Sequence, residues 1–198
     1  MKIKNLAFLA IIITSVFAGC EDKKISRDTI SDTVVETKVA KEAHPTFNLV
    51  TSTGSKIQII AKPGNTWDIK GMKGKVVLVD FFGTWCPPCK AEIPHLNNIR
   101  KEMKGKFEIL GIDIGQRDGT DTNPSELNDF ISEFEIKYPV TTGGDNGPLF
   151  GAVSELNKRG SIPFMLLFDT KGKFITHYIG MVPEEMIQGD INKLLVVK

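Results

Sequence analysis

Residues 76–90 read VVLVDFFGTWCPPCK, and this stretch decides the fold. Val76 to Phe82 is apolar throughout except for Asp80. A continuous apolar run of this length reads as a central strand buried on both faces. The strand runs directly into Trp85-Cys86-Pro87-Pro88-Cys89. Two prolines suit the first turn of a helix, whose N–H groups have no intrahelical partners. Cys86 is therefore expected at a helix N-terminus, where the positive end of the dipole favours thiolate over thiol. Cys89 falls three residues on, on the same side and within disulfide reach. An attacking thiolate beside a resolving thiol is the equipment for thiol–disulfide exchange.

Two other uses of the pair are weaker. A structural disulfide closing so short a loop removes little unfolded-state entropy. A zinc site needs two further ligands, and only Cys20, His44, His95 and His177 are on offer, scattered along the chain. Asp80 among apolar neighbours is expected to be buried rather than turned to solvent. Burial would raise its pKa and suit it to moving a proton to and from Cys89.

Outward from this stretch, the chain reads as one α/β domain over residues 46–198. Phe47–Val50 and Lys56–Ala61 flank Ser52-Thr53-Gly54 as a hairpin. Residues 67–75 read as a polar connection. Phe107–Ile114 is a second buried strand. Asn123-Pro124-Ser125-Glu126 is a helix start, with Asn as N-cap and Pro at N1. Leu127, Phe130, Ile131 and Phe134 then share one face. Residues 139–142 predict a short strand and 149–158 a short helix. Phe164–Asp169 and Lys173–Ile179 form a second hairpin, and Met186, Ile187, Ile191, Leu194 and Leu195 line a C-terminal helix.

The N-terminal residues predict export. Lys2 and Lys4 precede a thirteen-residue apolar run, Leu6–Ala18. It is shorter than the roughly 20 residues a membrane span needs, but suits a signal peptide. Residues 1–19 are read as that signal. Phe17-Ala18-Gly19-Cys20 resembles a bacterial lipobox, with Cys20 as the lipidated residue, although Phe17 departs from the usual Leu, Val or Ile. The other reading is a secreted protein cleaved near Ala18. Two acyl chains would give a stable anchor. Residues 20–45 are read as a flexible tether: eleven of residues 21–45 are charged, of both signs, with no aromatics.

Composition sets the outer limits. The chain has 198 residues, 41% hydrophobic and 25% charged, which is ordinary globular composition. Net charge is +1, and loss of residues 1–19 would make it −1. No basic surface for nucleic acid is expected. The acids between Asp113 and Asp121 lack calcium-loop spacing. His95 and His177 read as structural and Lys90 as a solvated helix residue. No cofactor and no metal are expected.

Taken together, VVLVDFFGTWCPPCKAEIP and the later SIPFMLLFD resemble the thioredoxin superfamily, and within it the TlpA/ResA-type membrane-tethered thioredoxins of bacterial envelopes. The resemblance spans about residues 46–198, and the hairpin before Val76 and the long 107–163 interval suit that subgroup. It implies a thioredoxin-like three-layer α/β/α sandwich with a central mixed sheet and an extra N-terminal hairpin. It implies that Trp85, Pro87, Pro88, Ile162 and Pro163 line the substrate site, with Ile162–Pro163 as a cis-proline loop facing the dithiol. Pro94 corresponds to the proline that kinks the active-site helix, and Glu92 to the subgroup's active-site glutamate.

One departure stands out. Thioredoxins often place a lysine near the buried aspartate from the next strand, but Phe107–Ile114 holds none, so Asp80 lacks that charge partner. The expected activity is thiol–disulfide oxidoreduction on the periplasmic side of a membrane, by a lipid-anchored monomer. Net reduction is favoured, because the CPPC pair lacks the histidine of strongly oxidising CPHC sites. The expected partners are disulfide-containing client proteins, such as the cysteine pair of apocytochrome c, and a membrane thiol electron donor. Three rivals are weighed, one of them an inert tethered scaffold that would show no insulin reductase activity. A thiol peroxidase on this fold requires a threonine three residues before its cysteine, where Gly83 stands. A copper-delivery module would use Cys86 and Cys89 as soft ligands, but no Met or His adjoins them.

Overall fold

A computed structural model describes residues 44–196. The expected signal peptide, Cys20 and nearly all of the expected tether lie outside the described residues. Among those described, no helix is long and apolar enough to cross a membrane.

Eight strands and four helices follow in the order β1 (Thr46–Val50), β2 (Lys56–Lys62), β3 (Thr66–Ile69), β4 (Val76–Phe82), α1 (Pro87–Glu102), β5 (Phe107–Asp113), α2 (Pro124–Glu133), β6 (Val140–Thr141), α3 (Asn146–Ala152), β7 (Phe164–Phe168), β8 (Phe174–Ile179) and α4 (Glu184–Val196). The central sheet is mixed, in the order β6-β5-β4-β7-β8. β4 pairs parallel with β5, and β5 with β6; β7 runs antiparallel to β4 and to β8. Every residue of β4 is buried, as its composition requires of a strand covered on both faces.

Strand alternation divides the core in two. Val76, Leu78 and Phe82 of β4 pack with Ile93, Leu96 and Ile99 of α1, Leu127 and Phe130 of α2, and Ile187 and Ile191 of α4. Val77, Val79 and Phe81 pack on the other face with Leu149 of α3 and with Leu49, Ile59 and Ile69 of the N-terminal strands. Asp80 belongs by alternation to the α1 face.

The expected hairpin β1–β2 forms, and a third antiparallel strand joins it. Residues 66–69, most of which read from sequence as polar connection, pair with β2. Their half-buried pattern carries little periodicity. Pairing and the stacking of Trp67 on Phe168 at 4.7 Å place them instead. The small sheet is tied to the large one where the Ser52 N–H donates to the Val140 carbonyl and the Thr142 N–H to the Val50 carbonyl. The helix expected over 149–158 starts earlier and breaks into α3 and a 3-10 turn, Ser154–Leu156. α2 is capped as its sequence predicts, Asn123 Oδ1 accepting from the Ser125 N–H at 2.9 Å. Phe130 of its apolar face stacks on Phe82 at 5.7 Å.

Candidate active site

β4 delivers the chain to α1 through Gly83-Thr84-Trp85. The Cys86 N–H donates to the Gly83 carbonyl, closing the turn. Cys86 is the N-cap of α1, with prolines at the next two positions. Pro87 and Pro88 contribute no N–H, so the first free amide of the helix is that of Cys89, and it donates to Cys86 Sγ at 3.3 Å. Cys86 and Cys89 are joined as a disulfide, with their Cα atoms 5.3 Å apart. Both cysteines are buried, at 2% and 3% exposure, because Cys86 tucks beneath the Pro163 loop. Burial thus does not separate their roles; position on the helix dipole does.

That loop matches the expectation: the Ile162–Pro163 bond is cis. The Ile162 carbonyl oxygen lies 3.8 Å from Cys86 Sγ. Around the dithiol, Trp85 and Ile162 are half-buried while Pro87 and Pro88 are exposed. The Trp85 indole N–H donates to the Gly115 carbonyl at 2.9 Å, and the Arg117 guanidinium lies 4.4 Å from the indole ring centroid. Gly115 has φ +84°, and a Cβ there would meet the Thr120 carbonyl oxygen at 2.4 Å, so only glycine turns the chain tightly enough to present that carbonyl. Thr84 Oγ1 donates to Glu126 Oε1 at 2.7 Å, and Gln116 Nε2 donates to the same oxygen at 3.0 Å. α2 thereby holds the loop entering the CPPC turn.

Beneath the dithiol two carboxyls are buried, Asp80 and Glu92, each 3% exposed. Asp80 Oδ1 and Glu92 Oε1 have no hydrogen-bonding partner. Burial pushes the Asp80 carboxyl up to about 7. Glu92 is pushed up to about 8, by burial first and then by the Asp80 charge, with the Val182 N–H pulling partly back. Glu92 follows Cys89 by three residues and precedes Leu96 by four, on the apolar face of α1, so its burial was legible from spacing. Met165 and Gly111 are the register partners of Asp80 on β7 and β5, and neither offers it a charge.

A groove of about 340 Å³ runs from Glu92 between α1 and the loop before α4, past His95, Met181, Val182 and Glu184. Two other hollows, each of about 330 Å³, share Trp67 and Phe168 and include no residue of the dithiol site. His95 Nδ1 and Glu184 Oε2 are 2.9 Å apart, and His177 packs on the rings of Phe164 and Phe174. Lys90 is not simply solvated: its Nζ lies 5.4 Å from the Phe134 ring centroid. Among the described residues no group of three or more His, Cys, Asp or Glu is placed to hold a metal ion.

Sequence reasoning missed Thr84, Gln116, Glu126, Arg117 and Tyr138. In sequence, Glu126 reads only as part of a helix start. The phenol of Tyr138 is buried on the α1 face without a partner, and burial with the Asp80 and Glu92 charges suppresses its acidity.

Comparison with known proteins agrees with this geometry. A sequence profile of the Redoxin family matches residues 38–195. Thiol-disulfide oxidoreductase ResA of a Bacillus cereus strain is 29% identical over 192 residues, 96% of this chain and 98% of the relative. A thiol:disulfide interchange protein of the thioredoxin family from Chlorobium tepidum TLS superposes with TM-score 0.59 and 24% identity, over 77% of this chain and 95% of that one. StoA from Bacillus subtilis superposes with TM-score 0.52 and 20% identity, over 73% and 95% respectively.

Proposed function

Because this chain belongs to the Redoxin family and is a thiol–disulfide oxidoreductase of ResA-like build, we propose that it reduces disulfides of client proteins outside the cytoplasm of a bacterium. The observation that carries the reading is the Cys86–Cys89 disulfide at the start of α1, with the Cys89 amide aimed at Cys86 Sγ.

In the reduced enzyme the helix N-terminus favours the Cys86 thiolate. The thiolate attacks one sulfur of a client disulfide. A mixed disulfide forms, and the other client sulfur leaves as thiolate and is protonated. Cys89 then gives its proton to the buried carboxyl pair, Asp80 and Glu92. The Cys89 thiolate attacks Cys86 Sγ, the client's second sulfur leaves, and the Cys86–Cys89 disulfide remains. Two electrons have passed to the client, and a membrane thiol donor restores the dithiol. A carboxyl titrating near neutral pH is matched to this proton transfer. Trp85, Pro87, Pro88 and the Ile162–Pro163 loop line the cleft, where an extended client segment can bond to exposed backbone.

The client class we favour is a pair of closely spaced cysteines such as the haem-binding pair of apocytochrome c. Residues 1–19 act as the signal, and Cys20 carries the lipid that holds a monomeric domain at the membrane by the 20–45 tether. Mass spectrometry of the mature N-terminus is expected to find a diacylglyceryl adduct on Cys20; an unmodified Cys20 refutes the anchor.

The deciding experiment pairs turnover with trapping. The full chain should reduce insulin disulfides with a dithiol as electron source. Cys89→Ala should accumulate mixed disulfides with envelope proteins, and Cys86→Ala should not. Absence of turnover, or trapping by Cys86→Ala instead, overturns the proposal.

A further inference from the structure

Three orphaned polar atoms gather on the α1 face of the central sheet: Asp80 Oδ1, Glu92 Oε1 and the Tyr138 hydroxyl. They come from β4, from α1 and from the segment entering β6. Native interiors leave few buried polar groups unpaired, so three on one face are unusual. The one other such atom among the described residues, Asp113 Oδ2, sits on a carboxyl whose second oxygen accepts the Gly115 N–H.

The backbone explains how Tyr138 comes to the pair. Asp80 and Gly111 are register partners on parallel strands, so both face α1. Gly111 offers no side chain there, and Tyr138 takes the space. A Cβ on Gly111 would stand 3.2 Å from Tyr138 Cε2, from Phe82 Cε1 and from Val140 Cγ2. The segment is pinned in place by the Gly111 N–H, which donates to the Pro139 carbonyl at 2.9 Å. Where a lysine on this strand would have served Asp80, a glycine and a phenol from the next strand stand instead.

The surroundings are otherwise apolar. Met165 of β7, Leu127 and Phe130 of α2, and Ile187 and Ile191 of α4 belong to the same cluster. Two charged groups on the surrounding helices α1 and α4 are engaged elsewhere. Asp190 of α4 accepts from the Tyr178 hydroxyl and pairs with Lys193, and Lys90 lies over Phe130 and Phe134. Burial is the one cause acting on Asp80, so no cation offsets it. Tyr138 loses acidity through burial and through the Asp80 and Glu92 charges, and so stays a neutral donor.

We propose that Tyr138 is the positioning residue of the buried carboxyl pair, its hydroxyl donating a hydrogen bond to the pair when one member is ionised. The proposal rests on the reading of Asp80 and Glu92 as the proton acceptor for Cys89. A hydrogen bond to the charged form favours that form. Tyr138 thus keeps a base available at neutral pH, without itself gaining or losing a proton.

Tyr138→Phe removes only the orphaned oxygen. The pH dependence of kcat/KM for reduction of a disulfide peptide is compared in wild type, Tyr138→Phe, Asp80→Asn and Glu92→Gln. Carbon-13 titration of the two carboxyls runs alongside. In Tyr138→Phe the rising limb and the carboxyl titration should move up by about one pH unit, since a hydrogen bond to a charged group is worth about that much. At a pH below the limb this reads as a loss of roughly tenfold. Superimposable profiles of Tyr138→Phe and wild type, with Asp80→Asn displaced, overturn the inference and spare the reading beneath it. If Asp80→Asn and Glu92→Gln also leave the profile unmoved, the inference falls together with the proton-acceptor reading.

Discussion

The amide of Cys89 is aimed at the sulfur of Cys86 across 3.3 Å, and it is the first amide of α1 able to do so. Pro87 and Pro88 silence the two positions before it. The helix therefore directs its foremost N–H at the sulfur that would carry negative charge.

For the reduced protein this predicts two separated thiol titrations. Thiolate absorbance near 240 nm should rise first for Cys86, below the ordinary thiol value of about 8.5. Cys86→Ala should abolish that early step and Cys89→Ala should keep it. An early step that survives Cys86→Ala would place the low-pKa thiol at Cys89.

Stability should depend on pH through the buried carboxyls. Asp80 and Glu92 titrate near 3.8 and 4.5 in an unfolded chain, and near 7 and 8 in the fold. Between those limits the folded state binds more protons than the unfolded one. Their contribution is therefore present in full below about pH 3.8 and is lost as pH rises through about 7 and 8. Asp80→Asn should gain stability over wild type as pH rises, by about 2–4 kcal/mol between pH 4 and pH 8.5. Urea unfolding across that range checks it, and a pH-independent difference would contradict it.

Glu126→Gln should loosen the loop that leads into the CPPC turn. It removes the charge from a carboxylate accepting from both Thr84 and Gln116. A loss of about 1–2 kcal/mol is expected, with faster amide exchange at Trp85 and Cys86. Unchanged exchange there would show that α2 does not hold the loop.

Gly111→Ala should cost about 1–3 kcal/mol, because the added methyl meets three side chains at 3.2 Å with little room to yield. The thermal midpoint measures the cost. A Tyr138→Leu background, which shortens one of the three neighbours, should recover part of it.

Much of this was legible because it is local. The apolar run around Asp80 announced a buried acid, and the prolines after Cys86 announced a helix start. The hairpin and the apolar face of α2 followed from alternation and spacing. β3 was not legible, since Thr66-Trp67-Asp68-Ile69 is placed by β2 beside it and by Phe168 beneath Trp67. The second half of the site was hidden for the same reason. Tyr138 precedes Pro139 in a connecting segment with no periodicity, and only strand register brings it over Gly111. A glycine inside an apolar strand signals close approach of something else. It did not say what approached.

The contacts that complete the site come from far along the chain. Glu126 reaches Thr84 across 42 positions, and the Ile162 carbonyl reaches Cys86 across 76. Contacts of such separation carry a loop-closure cost, whereas a helix cap is made within its own first turn. The reactive sulfur is thus set by its immediate neighbours, and the walls around it by residues dozens of positions away.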